Sequence, residues 1–187
     1  MRLNKFNQVI KLIIALGNTG KDYVLTRHNT GFLFGDFIRT ELNKKSFHFI
    51  RETNKLYDIY SANDLDFKIL QPNTMMNLSG RAVKKYIQNH SSQCGISSML
   101  LVHDDLDLKL GEYKIQYKTA PKNHNGVTSL ESELNSTDFY RIRIGIDSRP
   151  IEYKIDGIDY VLGRFSQDEK TILNDVFNKI FQTELSI

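Results

Sequence analysis

The run Val9-Ile-Lys-Leu-Ile-Ile-Ala-Leu16 is short, apolar and rich in β-branched residues, a pattern that fits a buried strand. It leads at once into the turn Gly17-Asn-Thr-Gly20. From Asn29 onward, Phe34, Phe37, Ile38 and Leu42 recur at helical spacing and mark the buried face of an amphipathic helix. Strand, glycine-bearing turn and helix in this order open an α/β unit, and a histidine, His28, stands at the join. Open α/β folds place ligand sites at the carboxyl ends of their strands, so His28 is the first candidate for chemistry.

The pattern recurs along the chain. Phe67–Leu70 reads as a strand ending at Gln71-Pro72, followed by a polar segment with Asn77 and then a helix with Ala82, Val83, Tyr86 and Ile87 buried. Ser97–His103 reads as a further strand, ending at the acidic stretch His103-Asp-Asp-Leu-Asp107. Three strands thus deliver polar residues from their carboxyl ends, which is what a site on a mostly parallel sheet needs. Phe47–Arg51 and Lys55–Ala62 fit short strands. Gly111–Lys118 alternates, with Tyr113, Ile115 and Tyr117 on one face and Lys114, Gln116 and Lys118 on the other. A polar loop from Pro121 to Gly126 opens a helix at His124. Phe139–Asp147 is a strand with Ile142, Ile144 and Ile146 inward and Arg141 and Arg143 opposite, Tyr160–Gly163 is a short apolar piece, and Gln167–Leu185 is an amphipathic helix. One α/β domain over residues 1–187 is the simplest organisation. Met1–Gln8, with Arg2 and Lys5 and no acid, is expected to be a short disordered tail, the alternative being a cleaved targeting segment.

Charge leaves the partner open: a net +3 and a pI near 8.8 permit an RNA partner without requiring one. Cys94 is the only cysteine, which excludes an internal disulfide and a multi-cysteine metal site and favours a reducing compartment. No apolar run is long enough to span a membrane.

A histidine acting as general base needs a group that orients its ring, commonly a carboxylate on the far nitrogen. Asp104 and Asp105 are available for this, against the plainer reading of a solvated acidic turn. His28 itself is otherwise a structural hydrogen-bonder. Asn18, Asn77 and Asn125 fall at element boundaries, where asparagine caps helices and makes turns. Around one histidine they would instead offer neutral donors and acceptors to an amide or ester substrate. No phosphate loop, dinucleotide fingerprint or Gly-x-Ser-x-Gly elbow is present. No second histidine lies at ligand spacing from the acidic stretch, so a hydrolase without metal or other cofactor is expected. Lys109, Lys114, Lys118 and Lys122, followed by Arg141, Arg143 and Arg149, either protect an edge strand from aggregation or track an RNA backbone.

Taken together, the blocks Gly17-Asn-Thr-Gly20, Thr26-Arg-His-Asn29, Met76-Asn-Leu-Ser-Gly80, His103-Asp-Asp-Leu-Asp107, His124-Asn-Gly126, Arg141-Ile-Arg-Ile-Gly145 and Tyr160-Val-Leu-Gly163 resemble the bacterial-type peptidyl-tRNA hydrolase family, which has eukaryotic organellar members. Each block alone is weak, but their order and coverage are specific. The resemblance implies a monomeric, single-domain, three-layer α/β/α sandwich around a twisted mixed β-sheet. It implies cleavage of the ester between a peptide and the 3′-terminal ribose of a tRNA, with the peptidyl-tRNA as partner and no membrane. His28 would activate water and Asp104 would orient it. Asn18, Asn77 and Asn125 would bind the peptide backbone and position the water, Tyr23 and Met76 would line the cleft, and His124 would shape the wall carrying Asn125. Arg143 would engage the phosphate end of the tRNA.

Two departures stand out. Thr119-Ala-Pro-Lys-Asn123 replaces the family's glycine-rich loop, and a basic residue often found on the facing strand falls at Gln116. Either Lys114 or Lys118 is expected to take over that phosphate contact. The rival readings are a non-catalytic, RNA-binding relative of the kind that assists splicing in plant organelles, and a phosphorylase or peptidase on a similar scaffold. The short basic start fits either cytoplasm or mitochondrion.

Overall fold

The computed structural model describes residues 1–119, 123–150 and 156–187. Its first elements are the short strands β1 (Arg2–Leu3) and β2 (Gln8–Val9). The expected disordered tail is therefore corrected: β1 pairs with β2 and with the last strand, β10 (Leu185–Ser186), to make a small antiparallel sheet. Leu3 explains why, because it is fully buried together with Ile10 and Leu185, and burying such a side chain stabilises by about 1.5–3 kcal/mol.

The apolar run then yields β3 (Leu12–Ala15), shorter than expected because Val9 belongs to the small sheet. A helix, α1 (Thr30–Lys44), follows. Strands β4 (Ile50–Thr53), β5 (Tyr57–Ser61) and β6 (Lys68–Pro72) precede α2 (Ser79–Asn89). The second half comprises β7 (Met99–Lys109), β8 (Tyr113–Tyr117), α3 (Asn125–Leu134), β9 (Tyr140–Asp147), α4 (Gly157–Leu162) and α5 (Gln167–Thr183).

The main sheet has seven strands in the order β4-β5-β6-β3-β7-β9-β8. Its centre, β6-β3-β7-β9, is parallel, and both flanks are antiparallel. One face packs beneath α1 and α5 through residues such as Ile13, Leu100, Phe34 and Phe177. The other packs beneath α2 and α3 through Ile14, Leu101, Val83 and Leu130. This is the expected three-layer mixed sandwich. Among the described residues no helix is long and apolar enough to cross a membrane.

Two readings need correction. The stretch His103–Asp107 is no acidic turn; β7 runs straight through it, alongside β9, to a register shift between Asp105 and Lys109. Arg141 and Arg143 do not lie on a solvated face, because α3 covers that side; Arg141 is fully buried and its guanidinium meets Glu131 at 2.6 Å. Tyr160–Leu162 closes the short helix α4. Residues 120–122, including Lys122, lie outside the described residues.

The first turn of α1 lies directly on the ends of β3 and β7. A Cβ built on Gly31 would meet Val102 O at 2.4 Å and Leu16 N and O at 2.5 Å, all of them backbone atoms that cannot rotate away. Gly31→Ala is therefore expected to destabilise the fold by about 3 kcal/mol, read from the urea midpoint, because forcing an extra carbon into packed backbone displaces the helix.

Candidate active site

Parallel strands point their carboxyl ends the same way, so the segments leaving β3 and β6 emerge at one edge of the sheet. The end of β3 carries Asn18, and the link to α1 contains a 3-10 turn, Arg27–Asn29, that holds His28. The end of β6 leads to a second 3-10 turn, Met76–Leu78, with Asn77. Strand β7 reaches the same edge with Asp104, and the first turn of α3 adds His124 and Asn125. Asn18, His28, Met76, Asn77, Asp104, His124 and Asn125 all line one cavity of about 670 Å³.

The hydrogen bonds give the cavity a direction. His28 Nδ1 lies 3.0 and 3.1 Å from the two Asp104 carboxylate oxygens, so its proton sits on Nδ1 and the Nε2 lone pair is left as a base. His124 Nε2 lies 3.0 Å from the same Asp104 Oδ1. The other nitrogen of His124 accepts from Gly126 N–H at 3.1 Å and Val127 N–H at 3.3 Å, so the ring caps α3 and its tautomer is set, with the proton on Nε2. One carboxylate therefore receives two imidazole N–H groups.

Charge follows geometry. Burial favours neutral Asp104, but the charge and hydrogen bonds of His28 and His124 outweigh it and hold the carboxyl well below the usual carboxylate range. Burial also opposes a charged His28, yet the Asp104 charge and hydrogen bond prevail and raise its pKa above the ordinary histidine value. His103, enclosed completely and beside His124, is pushed down to about 3 and stays neutral. His28, Asp104 and His124 offer ligand atoms within 4.8 Å of one another, a grouping the linear spacing hides. Their facing atoms are engaged in N–H···O bonds, and a cation between them would have to displace both protons.

The asparagines divide. The Asn18 amide oxygen accepts Met76 N–H at 2.7 Å, tying the β3 exit to the β6 exit and leaving the NH2 group as what it can offer a substrate. Asn29, which closes the Thr26-Arg-His-Asn29 block and was given no role of its own there, holds that loop in place. Its amide accepts Asn18 N–H at 2.8 Å and donates to Asn18 O at 3.0 Å. Asn77 and Asn125 are exposed and both line the cavity.

Four expected site residues lie elsewhere. Tyr23 is half-buried in the turn after Gly20 and is not part of the cavity lining. Arg143 is buried, its Nε on Asp105 and its Nη1 2.5 Å from Gln116 Oε1, so it reaches the cavity only through Asp105. Lys114 opens onto a separate polar cavity of about 870 Å³. Lys118, beyond the end of β8 with φ +64°, pairs with Asp138 at 2.8 Å. The sequence reading also missed the wall formed by Ile158, Val161 and Leu162 of α4. The only signal for it was the apolar spacing within Tyr160–Gly163 and its flank.

The peptidyl-tRNA hydrolase family model matches residues 12–185. A peptidyl-tRNA hydrolase of Mycoplasma capricolum subsp. capricolum is 37% identical over 170 residues, 90% of this chain and 88% of that protein. One from Sulfurihydrogenibium sp. is 39% identical over 169 residues, 90% and 85% of the two chains. A crystal structure of peptidyl-tRNA hydrolase from Acinetobacter baumannii superposes with a TM-score of 0.78 at 26% identity, covering 92% of this chain and 85% of that one. With that match running from β3 to β10, the chain belongs to the peptidyl-tRNA hydrolase family.

Proposed function

We propose that this protein hydrolyses the ester between the peptide and the 3′-terminal ribose of peptidyl-tRNA, freeing the tRNA and a peptide acid. The observation that carries the proposal is the His28 ring, fixed through Nδ1 by Asp104 with its second nitrogen left to activate a water. In this reading His28 Nε2 takes a proton from that water as its oxygen attacks the ester carbonyl, and the protonated ring then gives the proton to the departing ribose oxygen. The buried Asp104 carboxylate stabilises the imidazolium formed in between. Asn18, Asn77 and Asn125 supply neutral amides for the peptide backbone and the developing oxyanion. A site needing both a peptide carbonyl and an amide N–H discriminates against a bare aminoacyl ester, because the unmatched amides would lose their partners. Met76 and His124 shape the walls. The complete set comes from one chain, which supports action as a monomer, and the substrate places the protein where translation occurs, in cytoplasm or mitochondrion. Residues 1–187 act as one domain.

The tRNA end is assigned to the β8–β9 side. Arg143, steadied by Asp105 and Gln116, lies between the cavity and Lys114, and Lys114 and Lys118 carry charge onto the exposed rim. One assay tests both parts. Peptidyl-tRNA is expected to be cleaved while free peptides are not. Loss of the 5′-phosphate should raise KM by about tenfold in the parent protein and by much less in either Lys114→Ala or Lys118→Ala, the size of one phosphate contact. Cleavage of free peptides but not of peptidyl-tRNA would overturn the function, and unchanged phosphate discrimination in both lysine variants would overturn the phosphate assignment alone.

A further inference from the structure

The residue before His28 is tied to α4 and α5, on the side of the cavity that α4 walls. The Arg27 guanidinium donates from Nη2 to both carboxylate oxygens of Glu169, at 2.9 and 2.8 Å, and stacks over the Tyr160 ring at 4.2 Å and the Phe165 ring at 5.4 Å. Both ends of the ion pair are largely buried, with Arg27 and Glu169 side chains 11% and 14% exposed. The main chain adds a second tie, since Arg27 N–H donates to Gly163 O at 2.9 Å and Thr26 bridges to Arg164. A Cβ on Gly163 would lie 2.9 Å from Arg27 Nη1, so the guanidinium occupies the space that a larger residue at the end of α4 would need.

Tyr160 is held in turn. Its hydroxyl donates to Ile146 O at 2.8 Å and accepts Ser148 N–H at 2.9 Å, anchoring α4 to the end of β9. Such anchoring matters because α4 has six residues, and a helix this short does not persist without tertiary contacts. Its other side presents Ile158 and Leu162 to the cavity, 70% and 40% exposed. Aliphatic side chains left this open on a cavity wall are suited to receiving apolar groups of a ligand.

We infer that Arg27 is a positioning residue for substrate selection: its clasp on Tyr160 and Glu169 sets the distance between His28 and the apolar face of α4, which receives the side chain of the peptide residue joined to the tRNA. The inference rests on the hydrolase reading above. It adds a second task to the turn that carries the base: His28 faces the scissile bond while Arg27, pointing away, sets how wide the cleft is. A planar guanidinium stacked on two aromatic rings cannot be replaced by a lysine, which keeps the charge toward Glu169 and loses the stacking that fixes the clasp.

The test compares N-acetyl-leucyl-tRNA with N-acetyl-glycyl-tRNA in the parent, Arg27→Lys and Glu169→Gln. Arg27→Lys is expected to raise KM for the leucyl substrate by about tenfold and for the glycyl substrate by less than about threefold, with kcat changed by no more than about twofold, as removal of a binding contact predicts. The pH midpoint of kcat/KM should stay where it is, because the His28–Asp104 pair is untouched. Glu169→Gln preserves the side-chain shape and carries the same leucyl-selective expectation at about threefold, which keeps the test open if Arg27→Lys does not fold. An equal KM rise for both substrates, an unchanged KM in both variants, or a fall in kcat with a moved pH midpoint would overturn the inference. Failure of the parent protein to cleave either substrate would instead overturn the hydrolase reading.

Discussion

Replacing His28 with alanine is expected to lower kcat for peptidyl-tRNA by about 10³-fold, the range general-base removal commonly produces, with KM little changed. The fold is expected to survive. Asp104 keeps its second partner, His124, at 3.0 Å, so deleting the His28 ring does not leave a buried carboxylate without a hydrogen bond. Asn29, the neighbour that holds the β3 exit, is also retained. Single-turnover cleavage beside a thermal melt checks both halves of the expectation. A variant that melts like the parent and keeps a tenth or more of its activity, about 1.4 kcal/mol of lost transition-state stabilisation, would mean that another group activates the water.

Asp104→Asn tests orientation separately from the presence of the base. The asparagine amide would present either an N–H or an oxygen to His28 Nδ1, and an N–H there forces the ring proton onto Nε2, where the lone pair is needed. A loss on the order of 10²- to 10⁴-fold in kcat is expected, because a base in the wrong tautomer is no base. The pH profile supplies an independent sign. With Asp104 present the His28 pKa lies above its ordinary value, so kcat/KM rises with pH through a midpoint above about 6.5. Removing the carboxylate leaves burial as the dominant influence, and the midpoint of the residual activity moves down.

Stability should carry the same signature. His28 is raised in the fold, so its contribution is full below the unfolded imidazole pKa and is lost as pH climbs through the folded value. Asp104 is lowered, so its contribution is full above the unfolded carboxyl pKa and is lost as pH falls through the folded value. The two conditions overlap between about pH 4 and 6.5, where Asp104→Asn should cost the most in urea denaturation.

Much of this arrangement was legible along the chain because it rests on local pattern. The apolar run before Gly17, the helical spacing of Phe34, Ile38 and Leu42, and the alternation around Ile115 each reflect a side-chain period that one segment sets alone. Their carboxyl-end residues Asn18, Asn77 and Asp104 were candidates for the same reason. A solvated turn stood as the plainer alternative for the acidic stretch because two aspartates in a strand interior are unfavourable unless partnered, and the partners are remote in sequence. Asp104 meets His28 and His124, 76 and 20 positions away, and Asp105 meets Arg143, 38 positions away. The same remoteness hid the burial of Arg141 and Arg143, which read as a polar face until α3 covered it. Tyr23, close to His28 in sequence, is outside the cavity because the turn after Gly20 carries it away.

The sequence by itself determined the α/β class, the family, the strand ends that would carry chemistry, and His28 as the base to test. Tertiary structure alone decided how one carboxylate, Asp104, is shared between two histidines, and how Arg27 ties the turn before His28 to α4 and α5. The division has a physical cause: periodicity and turn chemistry are local properties, whereas burial, a locked tautomer and a shifted pKa exist only once distant groups have excluded water around one another.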